Sequence, residues 1–121
     1  MNRQSINLAR KFDAFSDQWS PKVIARMNDH QFKLVKFTGE FVWHSHADTD
    51  EVFIVLDGAM TVHFRDEDVP VAAGEMFVVP KGVEHKTSAE TECRAMLVEL
   101  AGTVNTGETL DEKTAANDVW I

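Results

Sequence analysis

Cysteine is nearly missing from this chain of 121 residues. Cys93 stands alone, so no internal disulfide can form. Its simplest reading is a small buried hydrophobe at the start of a strand. Long apolar runs are missing too. No stretch approaches the roughly 20 apolar residues of a membrane helix. The segment from Met1 to Arg10 has no apolar run of the kind that marks a signal peptide. The expected location is the cytoplasm, with no membrane partner. Positive charge is scarce: 12 Lys and Arg face 20 Asp and Glu, for a formal net charge of −8. A field of that sign repels polyanions, so nucleic acid is not an expected partner. The chain also has no phosphate-cradling glycine loop, no internal repeat and no low-complexity segment.

What is present fits one domain spanning 1–121. An apolar fraction of 44% and a charged fraction of 26% are ordinary for a globular protein. Leu8, Phe12 and Phe15 fall at helical spacing, and Ser5 or Asn7 can cap the start. A helix over 7–15 is too short to stand alone and must dock its apolar side. We expect it to lie over one end of the molecule, as a cover or a gate. Beyond Ser20-Pro21 the pattern becomes short and apolar with frequent turns. Strands are expected at 22–27, 32–37, 41–46, 51–56, 59–64, 69–71, 76–79, 85–88 and 93–100. Asp57-Gly58 is a hairpin signal, and Pro70 confines its strand to an edge or bulge. Nine short strands with turns between them make an all-β antiparallel barrel or double-sheet jelly roll. A helical segment (1–20) precedes the barrel (22–100). An extended C-terminal tail (101–121) follows it. The tail is polar, with a turn at Asn105-Thr106-Gly107, but ends in Val119-Trp120-Ile121. A terminal aromatic needs cover, so we expect the tail to pack on its own barrel or across a dimer.

The chemistry concentrates between Gly39 and His85. Residues two apart on a strand share a face, so His44 and His46 would present two imidazoles together. Glu51 opens an apolar strand after a short polar turn. Pro80 and Gly82 then lead to His85. Two histidines, a carboxylate and a third histidine are a ligand set for a divalent transition metal. His63, on the strand after Gly58, is a further candidate. It can face the cavity as a general acid or base, or face solvent. His30, by contrast, reads as a solvated turn residue.

These segments resemble the two motifs of the cupins, small antiparallel β-barrels that often hold a metal inside. Gly39, His44, His46, Glu51 and Gly58 stand at the positions of the first motif, with Gly39 one residue nearer His44 than usual. Gly74, Pro80, Gly82 and His85 stand at those of the second, with Ala89 where asparagine is usual. The likeness covers about 32–100. It implies a metal held by His44, His46, Glu51 and His85, with one or two open positions for water, dioxygen or a chelating substrate. Iron, manganese, zinc, nickel and cobalt all suit the set.

The resemblance further implies a small metal-dependent enzyme acting on a small oxygenated substrate. Dioxygenase, isomerase or epimerase, and lyase chemistry are the classes it brings. The alternative is a non-catalytic cupin that binds or senses a small ligand. A homodimer is expected as well. Phe32, Leu34, Val35 and Phe37 place apolar groups on both faces of one strand. Val52, Ile54 and Leu56 form a second apolar row.

Overall fold

The computed structural model describes residues 3–121. Met1 and Asn2, the start of the segment assigned to 1–20, lie outside the described residues. A single helix, α1 (Leu8–Asp13), precedes seven strands: β1 (Lys22–Met27), β2 (His30–Glu40), β3 (Glu51–Asp57), β4 (Ala59–His63), β5 (Asp68–Ala72), β6 (Met76–Val79) and β7 (Lys86–Leu100). All strand pairs are antiparallel. No described helix is long and apolar enough to cross a membrane.

The long strand β7 ties the two sheets together. Along one edge it pairs with β2 over nearly its whole length. Along the other, its first residues pair with β4 and its last with β3. One sheet therefore runs β1-β2-β7-β3-β6, and the second adds β4 and β5 beside the start of β7. This is the double-sheet jelly roll expected from the turn spacing. Glu90–Glu92 does not break the strand. The expected strands at 85–88 and 93–100 are one bent strand, and 41–46 is a loop, so seven strands replace nine. The tip of the β3–β4 hairpin sits on the bend. A Cβ at Gly58 (φ 79°) would lie 2.7 Å from the Glu92 carbonyl oxygen, so only glycine fits there.

Strand alternation then sorts the side chains. Val35, Phe37, Phe53, Val55, Val62, Cys93, Ala95 and Leu97 point inward and form the barrel core. Burial and the charge of Asp57 push the Cys93 thiol up to about 12, so it is inert as a nucleophile. Phe32 and Leu34 point outward and meet Leu8, Phe12 and Phe15. The helix therefore lies on the outer face of the β1–β2–β7 sheet, not over a barrel end. Its short length explains this, since it gains stability only where its apolar side finds a matching row. Asn7 caps it, its Oδ1 accepting from Arg10 N at 3.0 Å.

The tail returns to the same sheet. Val23 donates to the Val119 carbonyl at 2.7 Å, and Ile121 donates to Val23 at 3.1 Å. Trp120 thus forms a parallel bridge to β1, and Ile121 joins the helix cluster.

Candidate metal centre

The loop between β2 and β3 is fastened to the loop before β7 by backbone bonds. Phe41 donates to Thr87 at 2.8 Å, and His44 and His85 exchange bonds at 2.9 Å in each direction. Gly82 donates to the His46 carbonyl at 2.7 Å. Asp50 reinforces the join by accepting from Lys81 N at 2.8 Å. The two sequence motifs are brought together in this way, although His44 and His46 lie in a loop whose one ladder contact is the His44–His85 bridge. Glu51, the first residue of β3, points inward from the opposite side.

His44, His46, Glu51 and His85 are all buried, and one ligand-type atom from each lies within 4.8 Å of the others. His46 Nε2 and His85 Nε2 stand 3.6 and 3.7 Å from the two Glu51 oxygens. Both nitrogens are buried without a hydrogen-bond partner, an arrangement that costs free energy unless something fills the centre. The tautomers are decided by the backbone. His44 Nδ1 lies 2.8 Å from the Val42 carbonyl and His85 Nδ1 lies 3.0 Å from Val83. A carbonyl only accepts, so both Nδ1 atoms carry the proton and both Nε2 lone pairs face inward. Metal-binding histidines are held in this manner. The donor set therefore fits a divalent transition ion.

Burial lowers the His44 pKa to about 4, with the nearby His85 adding to the effect, so this ring is neutral at ordinary pH. Burial pushes Glu51 up, but contacts with Glu99, His46 and His85 outweigh it and hold the carboxyl well below its usual range. Glu99 behaves oppositely. Burial and the neighbouring Glu51 charge raise it, while Lys33 Nζ binds its Oε1 at 2.9 Å. Lys33 and Glu99 are 2% and 1% exposed, an ammonium and a carboxyl paired inside the barrel beside Glu51. Sequence reasoning missed them. The signal was there, because Lys33 alternates in step with the inward Val35 and Phe37, and Glu99 with the inward Ala95 and Leu97.

His63 is not in the cavity. It lies on the outer face of β4, with Nδ1 2.8 Å from Asp68 Oδ1 and Nε2 2.7 Å from Ser88 Oγ. The order Asp, His, Ser matches that of a nucleophilic triad. However, Ser88 is paired on both sides, with Glu40 and Thr61. Its N–H belongs to the ladder and is not free to hold an oxyanion. We read the row as cross-strand bonding on a surface. His30, expected in a turn, begins β2 and rests on Asp29.

Residues 32–100 match the cupin domain family model. The chain belongs to the cupin family. A cupin-2 domain containing protein from Shewanella frigidimarina is 60% identical, with a TM-score of 0.77 over 78% of this chain and 93% of that one. NMB1881 from Neisseria meningitidis is 38% identical, with a TM-score of 0.74 over 81% of this cupin and the whole of its own chain. The uncharacterized protein YdbB of Bacillus subtilis is 40% identical over 77 residues, 63% of this chain and 68% of its own.

The cupin also carries parts outside the matched region that press on the metal-site loop. Glu108 donates to the Ser45 carbonyl at 3.3 Å, and Thr109 Oγ1 donates to Trp43 O at 3.3 Å. Gly107 (φ 59°) packs so closely that a Cβ would collide with the Ser45 carbonyl oxygen and come within 3.3 Å of His46 Nδ1. The sequence marked Gly107 as a turn; its close approach to Ser45 is visible only in the fold.

Proposed function

We propose that His44, His46, Glu51 and His85 bind one divalent transition metal and that the protein is a small metal-dependent enzyme. The observation that carries this reading is the buried convergence of four donors with two bare imidazole nitrogens. A bound ion supplies Lewis acidity toward a carbonyl or enol oxygen, or a place for dioxygen when it is iron. The chain's part is orientation and shielding. Val42 and Val83 fix two rings through their carbonyls. Phe37, Phe41 and Phe53 line the adjoining space with apolar surface, and the low dielectric there strengthens every charge interaction. The substrate is a small oxygenated molecule. The reaction falls in the dioxygenase, isomerase or epimerase, or lyase classes.

Metal analysis of protein purified without chelator or nickel resin tests the reading. His46→Ala and His85→Ala should lose bound metal, while His63→Ala, on the outer face, should keep it. Equal metal content in all three variants would refute the assignment.

The proposal includes a homodimer, with its surface reassigned. The outward residues of β2 are covered by α1, and Val35 and Phe37 are in the core. The uncovered apolar row is Leu56, Met76 and Val78, of which Met76 is 61% exposed. Val52 and Ile54 continue it along β3.

A further inference from the structure

We infer that the Trp19 indole occupies the seat of a ligand's planar ring, and that the substrate is a flat, conjugated oxygen chelator that displaces it. Trp19 precedes the first strand and reaches into the barrel end beside His44. Its ring stacks on Phe37 at 4.6 Å and on Phe41 at 4.7 Å, with interplanar angles of 23° and 17°. Phe41 in turn meets His44 edge-on at 5.3 Å. The chamber bounded by Trp19, Phe37, Phe41 and Phe53 ends at His44 and Glu51.

The space left in that chamber is about 30 Å³, room for about two waters when one needs roughly 10–15 Å³. No organic substrate reaches the His44–Glu51 end while the indole is seated. A separate hollow of about 370 Å³ is lined by His46 but by neither His44 nor Glu51. Opening this chamber therefore needs a wall to move, and Trp19 is the wall that both fills it and has a backbone outside the favoured region. It is only half-buried and sits in a segment with no regular structure. Its φ is 60°, a left-handed conformation that is a true outlier for a bulky residue and is held only by its surroundings. Two backbone contacts hold it: Trp19 N donates to Lys36 O at 2.9 Å, and Asn105 Nδ2 donates to Trp19 O at 2.8 Å. Asn105 belongs to the tail, so both ends of the chain set the plug. Release of a strained backbone favours departure. The two phenyl faces it leaves suit another flat π-system. The polar end of such a ligand would lie toward His44 and Glu51, and that part alone rests on the metal reading.

The test uses the full chain with Trp43→Phe and Trp120→Phe, so that Trp19 is the one indole left. The probe is 4-nitrocatechol added to zinc-loaded protein, with lactate as the non-planar chelator. Binding of 4-nitrocatechol should raise acrylamide quenching of Trp19 at least about threefold. Trp19→Ala should tighten 4-nitrocatechol at least about tenfold and lactate much less. In metal-free protein, Trp19→Ala should bind free indole by calorimetry while the parent does not. That arm holds whether or not the metal assignment stands, and zinc stoichiometry measured beside it reports on the assignment separately. If Trp19→Ala does not fold, Trp19→Leu replaces it, keeping bulk without the plane. Unchanged quenching with 4-nitrocatechol bound would overturn the inference. So would a folded variant that takes neither indole nor the catechol more tightly than the parent.

Discussion

His44 and His85 are built as mirror copies across one antiparallel bridge. Each donates its backbone N–H to the other's carbonyl at 2.9 Å, and each places its ring Nδ1 against the carbonyl two residues before it, Val42 and Val83. Their rings lie 4.4 Å apart. The backbone thus sets position, tautomer and spacing of two donors before any ion arrives.

Removing one of these rings should therefore cost binding more than folding. Loss of a group that merely orients a ligand typically weakens metal binding 10–100-fold. His85→Ala should exceed about 100-fold in a competition titration. Circular dichroism should still show the sheet, since the barrel core is separate. Equal affinity in His85→Ala and the parent would remove His85 from the site.

The depressed His44 pKa makes a prediction for metal-free protein. Above pH 6.5 the ring is neutral whether folded or not, and contributes nothing to the pH dependence. Below 6.5 the unfolded chain takes up a proton that the folded chain refuses until about pH 4. Stability should fall across that window, by on the order of 3 kcal/mol for a group as shielded as this. Urea unfolding at pH 7.5 and pH 4.5 measures it. His44→Gln should flatten the slope, and an unchanged slope would show that other groups govern it.

Much of this was legible in the sequence because two periodicities carried it. Alternation identified most of the strands and marked Val52, Ile54 and Leu56 as one row, which runs along the outer side of β3. Motif spacing gathered the histidines. The rest failed for physical reasons. His63 sits at a position whose facing depends on the register of β4 with β7, which local pattern does not encode. The loop over 41–46 mimics a strand in composition, yet only His44 finds a bridging partner. The bend at Glu90–Glu92 looks like a turn because its side chains are polar, although its backbone stays in the strand. Trp19, Lys33 and Gly107 gain their roles through contacts 17 or more positions away in the chain.

Gly107→Ala should show that the tail is part of the site. The added methyl collides with the Ser45 carbonyl and the φ of 59° is poor for alanine. Overpacking of this kind costs about 1–3 kcal/mol. Because Ser45 joins His44 to His46, metal affinity should fall with stability. Denaturation and zinc titration on the same variant check both, and a loss of stability with undiminished affinity would confine the tail to a structural role.

The exposed row on β3 and β6 predicts a concentration-dependent mass. Met76→Lys with Val78→Lys should give monomers by light scattering at tens of micromolar, where the parent should be a dimer burying more than roughly 1,000 Å². Both side chains are solvent-exposed in the single chain, so the substitutions should leave the fold intact. A parent of monomer mass would defeat the prediction.

The buried Lys33–Glu99 pair should behave as a unit. Its ammonium and carboxyl groups are 2.9 Å apart, and Lys33 also donates to the Thr103 carbonyl at 3.2 Å. Glu99 Oε2 has no hydrogen-bond partner. Removing Glu99 strands the Lys33 ammonium in the barrel, and breaking a buried pair in this way costs about 3–5 kcal/mol. Replacing both members with apolar groups of similar size removes the desolvation cost along with the attraction, and is often neutral. Glu99→Leu alone should therefore destabilise strongly, and adding Lys33→Met should restore most of the loss. If the pair serves only stability, zinc affinity in the double variant should match the parent. If it also holds Glu51 in place, affinity should fall although the fold has recovered. We expect the fall, because no backbone carbonyl fixes the orientation of Glu51 as Val42 and Val83 fix His44 and His85, and Glu99 is its neighbour within the barrel. A stable double variant with parental zinc affinity would show that Glu51 needs no such support.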